Sequence, residues 1–122
     1  MVRVSVPFAD LPLLVSRRLG PIAGRHLFEG RAFGLTNLTV VVGESHPGQG
    51  VPLHRHDCEE LLIIHAGRGP YTVGDTTVEA GAGEIVVIPA GAPHRWVNHT
   101  DEPLVHTAVF PTNAFALEEL QD

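Results

Sequence analysis

Cysteine occurs only once in the 122 residues, as Cys58, so no disulfide can form within the chain and a reducing compartment is compatible. Basic residues are also scarce: 8 Lys and Arg stand against 14 Asp and Glu, and no segment gathers enough of them to follow a nucleic-acid backbone. No apolar run approaches the ~20 residues that span a bilayer, and the first residues lack a secretory signal pattern. We therefore expect a cytoplasmic protein that binds neither nucleic acid nor membrane.

Sustained apolar repeats at helical spacing are absent between Thr36 and Pro111. From about Asn37 onward, short runs of β-branched and aromatic residues alternate with turns, and "GPYTV" and "TTVEA" flank "GD", which predicts a two-residue hairpin. Strand follows strand with no room for a crossover helix, which predicts antiparallel pairing and excludes a parallel α/β sheet. The pattern indicates an all-β sandwich or barrel in a single domain, residues 1–122.

The two ends of the chain depart from this pattern. "FADLPLLVSRRLG" is compatible with a short helix or an irregular arm. "TNAFALEELQD" has a possible cap at Thr112 or Asn113 followed by a short helical pattern. Irregular or helical termini are therefore expected.

Candidate metal ligands are concentrated in "GQGVPLHRHDCEELLIIHAG", residues 48–67. Alternate side chains of a strand share a face, so His54 and His56 present two imidazoles in the same direction. Glu60 can join them after a turn. If it begins a strand, Leu62 and Ile64 lie on its face.

A fourth candidate lies in "GEIVVIPAGAPHRWVN", residues 83–98, where a turn after Pro89 delivers His94 to the next strand. Three imidazoles and a carboxylate suit Fe, Mn, Ni, Cu or Zn better than calcium, and four protein ligands leave two positions of an octahedral ion open. A His-x-His pair is more often an ordinary surface or core feature. Spacing alone leaves both readings open.

Both stretches resemble the two motifs of the cupin superfamily. Every fixed position is filled: Gly48, His54, His56, Glu60 and Gly67 in the first, Gly83, Pro89, Gly91, His94 and Asn98 in the second. The resemblance, to small single-domain bacterial cupins, implies a conical β-barrel, or jelly roll, that holds one divalent transition metal through the three histidines and Glu60. It also implies a homodimer formed through the N-terminal strands.

Two further side chains are candidates for catalysis. In "LVHTAVF", alternation places Leu104, His106, Ala108 and Phe110 on one face, where His106 could move a proton. Tyr71 could supply a phenol inside the barrel. Packing roles in the barrel wall are the alternatives for both.

The resemblance implies a metal-dependent enzyme acting on a small organic molecule. Within the superfamily, we favour dioxygenase-type oxidoreductase chemistry, because a metal-dependent isomerase or epimerase of sugar or polyketide type also needs an acid and a base. A cupin that binds a small molecule without turnover is the other alternative. A structural or storage role ranks last.

Overall fold

Eleven strands form almost all of the regular structure in the computed structural model, which describes residues 4–121. The strands are β1 Leu13–Ser16, β2 Gly20–Glu29, β3 Thr39–Ser45, β4 Gly50–Arg55, β5 Glu60–Ala66, β6 Arg68–Val73, β7 Thr76–Gly81, β8 Ile85–Ile88, β9 His94–Val97, β10 Leu104–Phe110 and β11 Glu118–Glu119. Two short 3-10 segments, Phe8–Asp10 and Gly30–Phe33, complete them. Residues 4–121 contain no helix long and apolar enough to cross a bilayer.

The strands form two antiparallel sheets, as expected. One has the order β1-β2-β3-β10-β5-β8 and the other the order β11-β4-β9-β6-β7. The predicted hairpin joins β6 to β7, with Val73 paired to Thr76 across Gly74 and Asp75. The architecture is consistent with the predicted jelly roll, whose two sheets face each other across an apolar core.

Alternation along the strands places the predicted faces inside. In β5, Glu60, Leu62 and Ile64 are buried while Leu61 and His65 are exposed. In β10, residues 104, 106, 108 and 110 are all buried. The same side-chain period therefore builds the core and directs Glu60 and His106 into it.

Turn glycines hold the two motif stretches together. Gly67 has φ +83°, and a Cβ placed there would lie 2.5 Å from the carbonyl oxygen of Pro103, so glycine is needed both for conformation and for space. Gly91, with φ +79°, donates its backbone N–H to the carbonyl of His56 at 2.8 Å. This bond ties the turn before His94 directly to the first motif.

The helical alternative for the termini is wrong in the described residues. After one 3-10 turn, the N-terminal segment forms β1 and the ten-residue β2, which pair with each other, and β2 also pairs with β3. The C-terminal segment is extended and ends in β11, where Glu118 and Glu119 pair with Arg55 and His54 of β4. Tertiary pairing with sheet edges outweighs the weak local helical preference of both segments.

Candidate metal centre

Three histidines converge inside the barrel from neighbouring strands. His54 on β4 is the register partner of His94, the first residue of β9, and their ring centroids lie 4.1 Å apart. His56 follows the end of β4, and its ring lies 5.0 Å from His54 and 5.2 Å from His94. One potential ligand nitrogen from each residue lies within 4.8 Å of the other two, and all three side chains are buried. The structure thus brings together histidines that are up to 40 positions apart in the sequence.

Each imidazole is oriented by a backbone carbonyl. Nδ1 of His54 lies 2.7 Å from the carbonyl oxygen of Pro52, and Nδ1 of His94 lies 2.8 Å from that of Ala92. Nδ1 of His56 lies 2.8 Å from the carbonyl of Ala116, 60 positions along the chain. With Nδ1 donating, Nε2 of each ring carries the free lone pair. This is the tautomer that coordination through Nε2 requires.

Glu60 completes the cluster from the start of β5. Its Oε1 lies 3.0 Å from Nε2 of His94 and 3.3 Å from Nε2 of His56. Nevertheless, neither Oε1 of Glu60 nor Nε2 of His94 has a hydrogen-bond partner, although both atoms are buried. Two orphaned ligand-type atoms at one point are costly unless something else satisfies them.

The electrostatics of the cluster keep its groups in metal-binding states. Burial, followed by the neighbouring His94, lowers the pKa of His54 to about 4, so this imidazole is neutral at pH 7. Burial raises the pKa of Glu60, but the imidazoles of His56 and His94 outweigh it and hold that pKa below its usual range. A neutral His54 and an ionised Glu60 beside unpartnered ligand-type atoms fit a divalent transition metal.

These buried histidines predict that the metal-free protein is sensitive to acid. The pKa of His106 is also held well below its usual range, first by burial and then by Arg25 and His65. Below the usual histidine pKa of 6.5, the unfolded chain takes up protons that the folded chain excludes. The free energy of unfolding should therefore decrease as the pH falls from 6.5 towards 4, by ~1.4 kcal/mol per pH unit for His54 alone.

Urea unfolding at pH 7 and pH 5, with a chelator present, measures this dependence. His106→Gln should weaken it, because the variant lacks one of the excluded protons. His99→Gln, which alters an exposed histidine, serves as the control. Identical pH dependence in wild type and His106→Gln would contradict the assignment.

The space beside the cluster is small. A cavity of about 10 Å³ adjoins the predicted ligands His54, His56 and Glu60, which is room for about one water molecule. Its other lining residues are Leu14, Arg25, Val41, Trp96, Ala108, Phe110, Phe115 and Leu117. A much larger surface cavity, about 600 Å³, includes Thr72, Thr77 and Arg95 in its lining and contains none of the predicted ligands.

Residues 112–121, the C-terminal cover, close the cavity from one side. The ring of Phe115 lies 5.3 Å from that of His56 and 5.2 Å from that of Phe110. Its backbone N–H donates to Glu29 Oε2 at 2.7 Å, and Oε1 of Glu119 accepts from the Ser16 hydroxyl at 2.5 Å. The cover is thus held by pairing of β11 with β4, by the bond between Ala116 and His56, by these two side-chain bonds and by the half-buried ring of Phe115.

Arg25 is a residue of this site that the sequence did not reveal. It lies on β2, is fully buried and lines the cavity. Its guanidinium donates to the carbonyl oxygens of His106 at 2.9 Å and Val41 at 3.4 Å, and its Nε has no hydrogen-bond partner. The flanking "GPIAGRHLFE" shows no clear alternation, so nothing in the sequence marked this arginine as buried.

The two candidates for catalysis meet each other in the core. The hydroxyl of Tyr71 lies 2.8 Å from Nδ1 of His106, both residues are buried, and Trp96 packs edge-on against His106 at 4.8 Å. Neither Tyr71 nor His106 is among the residues that line the small cavity. Their catalytic role stays a prediction, with the packing alternative still open.

Other charged or reactive neighbours lie away from the cluster. Arg55 and Arg95 are exposed on the outer face, as alternation predicts. Cys58 is half-buried, and burial raises the pKa of its thiol, which disfavours the reactive thiolate. The structure therefore provides no support for a nucleophilic role of Cys58.

Comparison with known proteins gives the same fold. The chain superposes on oxalate decarboxylase from Bacillus subtilis with a TM-score of 0.78 over 98% of its residues, at 21% identity and covering 32% of that chain. For the oxalate decarboxylase of Lactobacillus farciminis the TM-score is 0.75 over 92%, at 24% identity and 34% of that chain. At these identities the likeness concerns the fold alone.

The sequence relatives are longer proteins, and each matches only part of this chain. Auxin-binding protein 4 of Zea mays is 31% identical over 83 residues, which are 60% of this chain and 41% of that protein. The transcriptional activator RhaR of Pectobacterium carotovorum is 33% identical over 57 residues, 47% of this chain and 20% of that protein. The chain therefore spans less than half the length of these relatives. The family model for the cupin domain matches residues 41–110, more than half of the chain, and the chain accordingly belongs to the cupin family.

Proposed function

We propose that the protein binds one divalent transition metal through His54, His56, Glu60 and His94, and that it acts through this metal on a small organic molecule. The observation that carries the proposal is the unpartnered pair of buried atoms, Oε1 of Glu60 and Nε2 of His94, beside two further histidines of matching orientation. The Mn(II) centres named for the oxalate decarboxylase of Bacillus subtilis support a divalent ion in this fold. A bound metal would supply Lewis acidity and open positions for a substrate, water or dioxygen.

Oxygen chemistry of the dioxygenase type remains our preferred reaction class. An isomerase or epimerase needs an acid and a base that reach the substrate. Within residues 4–121, the titratable groups that line the cavity are the predicted ligands and Arg25, whose pKa of about 10 makes it a poor base. The chain's own residues can thus orient a substrate and exclude water, but they offer no free proton carrier beside it.

Binding without turnover is the second candidate. The cavity of about 10 Å³ is lined on one side by Phe115 and Leu117, so a ligand larger than water needs the surrounding side chains to move. Slow exchange through such a cover suits a protein that sequesters or senses a small molecule. Tight retention and the absence of oxygen uptake would favour this function.

Elemental analysis by plasma mass spectrometry, on protein purified without a metal-affinity tag, tests the proposal first. We expect about one transition-metal ion per chain. Oxygen uptake after anaerobic Fe(II) loading, with phenols, diketones or thiols as candidate substrates, would support the oxygenase, whereas zinc or manganese without uptake would favour isomerase or binding. If neither the purified nor the metal-loaded protein retains an ion, the proposal is wrong.

For the pair formed by Tyr71 and His106, we predict a role in turnover that is separable from metal binding. His106→Ala should keep the full metal content, because its ring is not part of the ligand cluster, and should lose turnover of any substrate found. Tyr71→Phe, which removes only the hydroxyl bonded to His106, should shift the pH profile of the rate. Metal loss in His106→Ala would instead make it a ligand or the support of one. Unchanged rates in both variants would assign the pair to packing.

Dimerisation through the N-terminal strands also remains a proposal. β1 is the edge of its sheet, and its residue Val15 and the following Leu19 are 59% and 61% exposed, which is consistent with association there. Sedimentation of wild type and of Val15→Glu is expected to show a dimer that the substitution dissociates. A monomeric wild type would refute it.

A further inference from the structure

The buried charges around the cluster would sum to a net positive charge if a divalent metal were bound. Among the buried residues of the stretch 4–121, Arg25 is the only arginine and Glu60 the only carboxylate. Burial lowers the pKa of Arg25 to about 10, with Tyr71 and Glu60 opposing the shift, so the guanidinium stays charged at neutral pH. In the metal-free protein, the single positive and single negative charge offset each other.

A divalent ion changes this balance. Three neutral imidazoles and one carboxylate leave a bound dication with one excess positive charge, and Glu60 is then engaged by the metal. Arg25 adds a second positive charge beside the same cavity, and residues 4–121 contain no other buried carboxylate that could pair with it. Buried charges without partners are strongly unfavourable, so the loaded site should attract an anion.

Arg25 and three of the predicted ligands line one small cavity, which must widen to take a ligand that meets both charges. These three ligands are His54, His56 and Glu60. Two of the guanidinium nitrogens are held by the carbonyl oxygens of His106 and Val41, which fixes the group in place, while Nε still lacks an acceptor. A planar anion with two oxygens suits a guanidinium donor on one side and an open metal position on the other.

We propose that the metal-loaded site takes a small carboxylate anion as its ligand or substrate, with Arg25 as the charge that selects the anion over a neutral analogue. This assignment rests on the proposed metal site and specifies the substrate class for it. Entry of the ligand requires the C-terminal cover to shift, because Phe115 and Leu117 line the cavity and its volume is only about 10 Å³. Arg25 is therefore the specificity-determining residue contributed by β2.

Acetate and acetamide are a suitable pair of probes, because they match in size and differ in charge. The protein is loaded with Co(II), its cobalt content is measured, and each probe is titrated while the visible absorption of the cobalt is recorded. We expect acetate to perturb the spectrum with saturation and acetamide to bind at least about tenfold more weakly. Apo protein should bind neither probe by calorimetry.

Variants identify the source of the selectivity. Arg25→Met should retain cobalt and lose at least about tenfold in acetate affinity, and Arg25→Lys should recover part of it. Arg68→Met is the matched control, because Arg68 is an exposed arginine whose charged partners are Glu79 and Glu84. The acetate affinity of this variant should equal that of wild type. If circular dichroism shows that Arg25→Met is unfolded, Arg25→Lys and the ratio of acetate to acetamide in wild type decide.

The outcomes separate this inference from the proposed function. Failure of the wild type to bind cobalt or any other transition metal overturns both. Cobalt bound at one ion per chain, with acetate and acetamide of equal affinity or with neither detected, overturns the anion assignment alone. The same holds if Arg25→Met folds, keeps its cobalt and binds acetate as tightly as wild type.

Discussion

Replacement of His94 by alanine is expected to reduce the affinity for a divalent transition metal by at least about 100-fold, because one direct ligand is lost and residues that merely support a ligand already contribute 10–100-fold. The backbone should persist, since the Nδ1 bond of His94 is local, to Ala92, and its β9 pairings are made by the main chain. Competition against a chromogenic chelator measures the affinity. Circular dichroism checks the fold.

His65→Ala provides the matched control for this experiment. His65 is exposed on the outer face of β5, where Nε2 lies 2.8 Å from the Thr107 hydroxyl. Its removal should leave metal affinity within about twofold of wild type, since it has no contact with the cluster. Wild-type affinity in His94→Ala, or an equal loss in both variants, would show that the ligand assignment is wrong.

Phe115→Ala is expected to accelerate metal release to a chelator by at least about tenfold. The ring packs against His56 and Phe110, and its loss widens the path from solvent to the cluster without removing a ligand. Equilibrium affinity should fall much less than the release rate rises, because the His56 bond to the carbonyl of Ala116 remains. Stopped-flow mixing of metal-loaded protein with excess chelator measures the rate.

A loss of general stability could also speed release, so a second aromatic substitution is needed for comparison. Phe33→Ala removes a half-buried ring that stacks on Phe28 at 4.3 Å, away from the cluster. Both truncations should lower the free energy of unfolding by ~1–3 kcal/mol, a range typical of partly buried side chains. Only Phe115→Ala should change the release rate. Equal rates in the two variants would mean that Phe115 does not control access.

Several features of the site were predictable because they depend on short-range periodicity. The alternation in β5 and β10 correctly predicted which side of each strand is buried. The convergence of His94 with His54 did not follow from periodicity. This expectation came from the resemblance to the two cupin motifs, whose ligand residues are expected to meet around one metal.

Arg25 and the C-terminal cover could not be predicted, for different reasons. The burial of Arg25 depends on pairing of β2 with β3 and on carbonyls contributed by distant strands, and its immediate neighbours show no alternation that would mark it. In the cover, Phe115 and Leu117 are two apart, which suits an extended chain, but the weak helical pattern around them masked that signal. Pairing with strands distant in sequence determines the conformation of both segments, and a single sequence does not show which strands pair.

The bond between His56 and the carbonyl of Ala116 has a consequence for how the protein matures. The other two histidines are oriented by carbonyls only two positions away, so they can adopt their rotamers as soon as their turns form. His56 must wait until the chain has been synthesised through residue 116 and has returned across β4. Loops closed over such separations form late in folding. The third imidazole of the cluster should therefore reach its final orientation only after β11 has docked on β4.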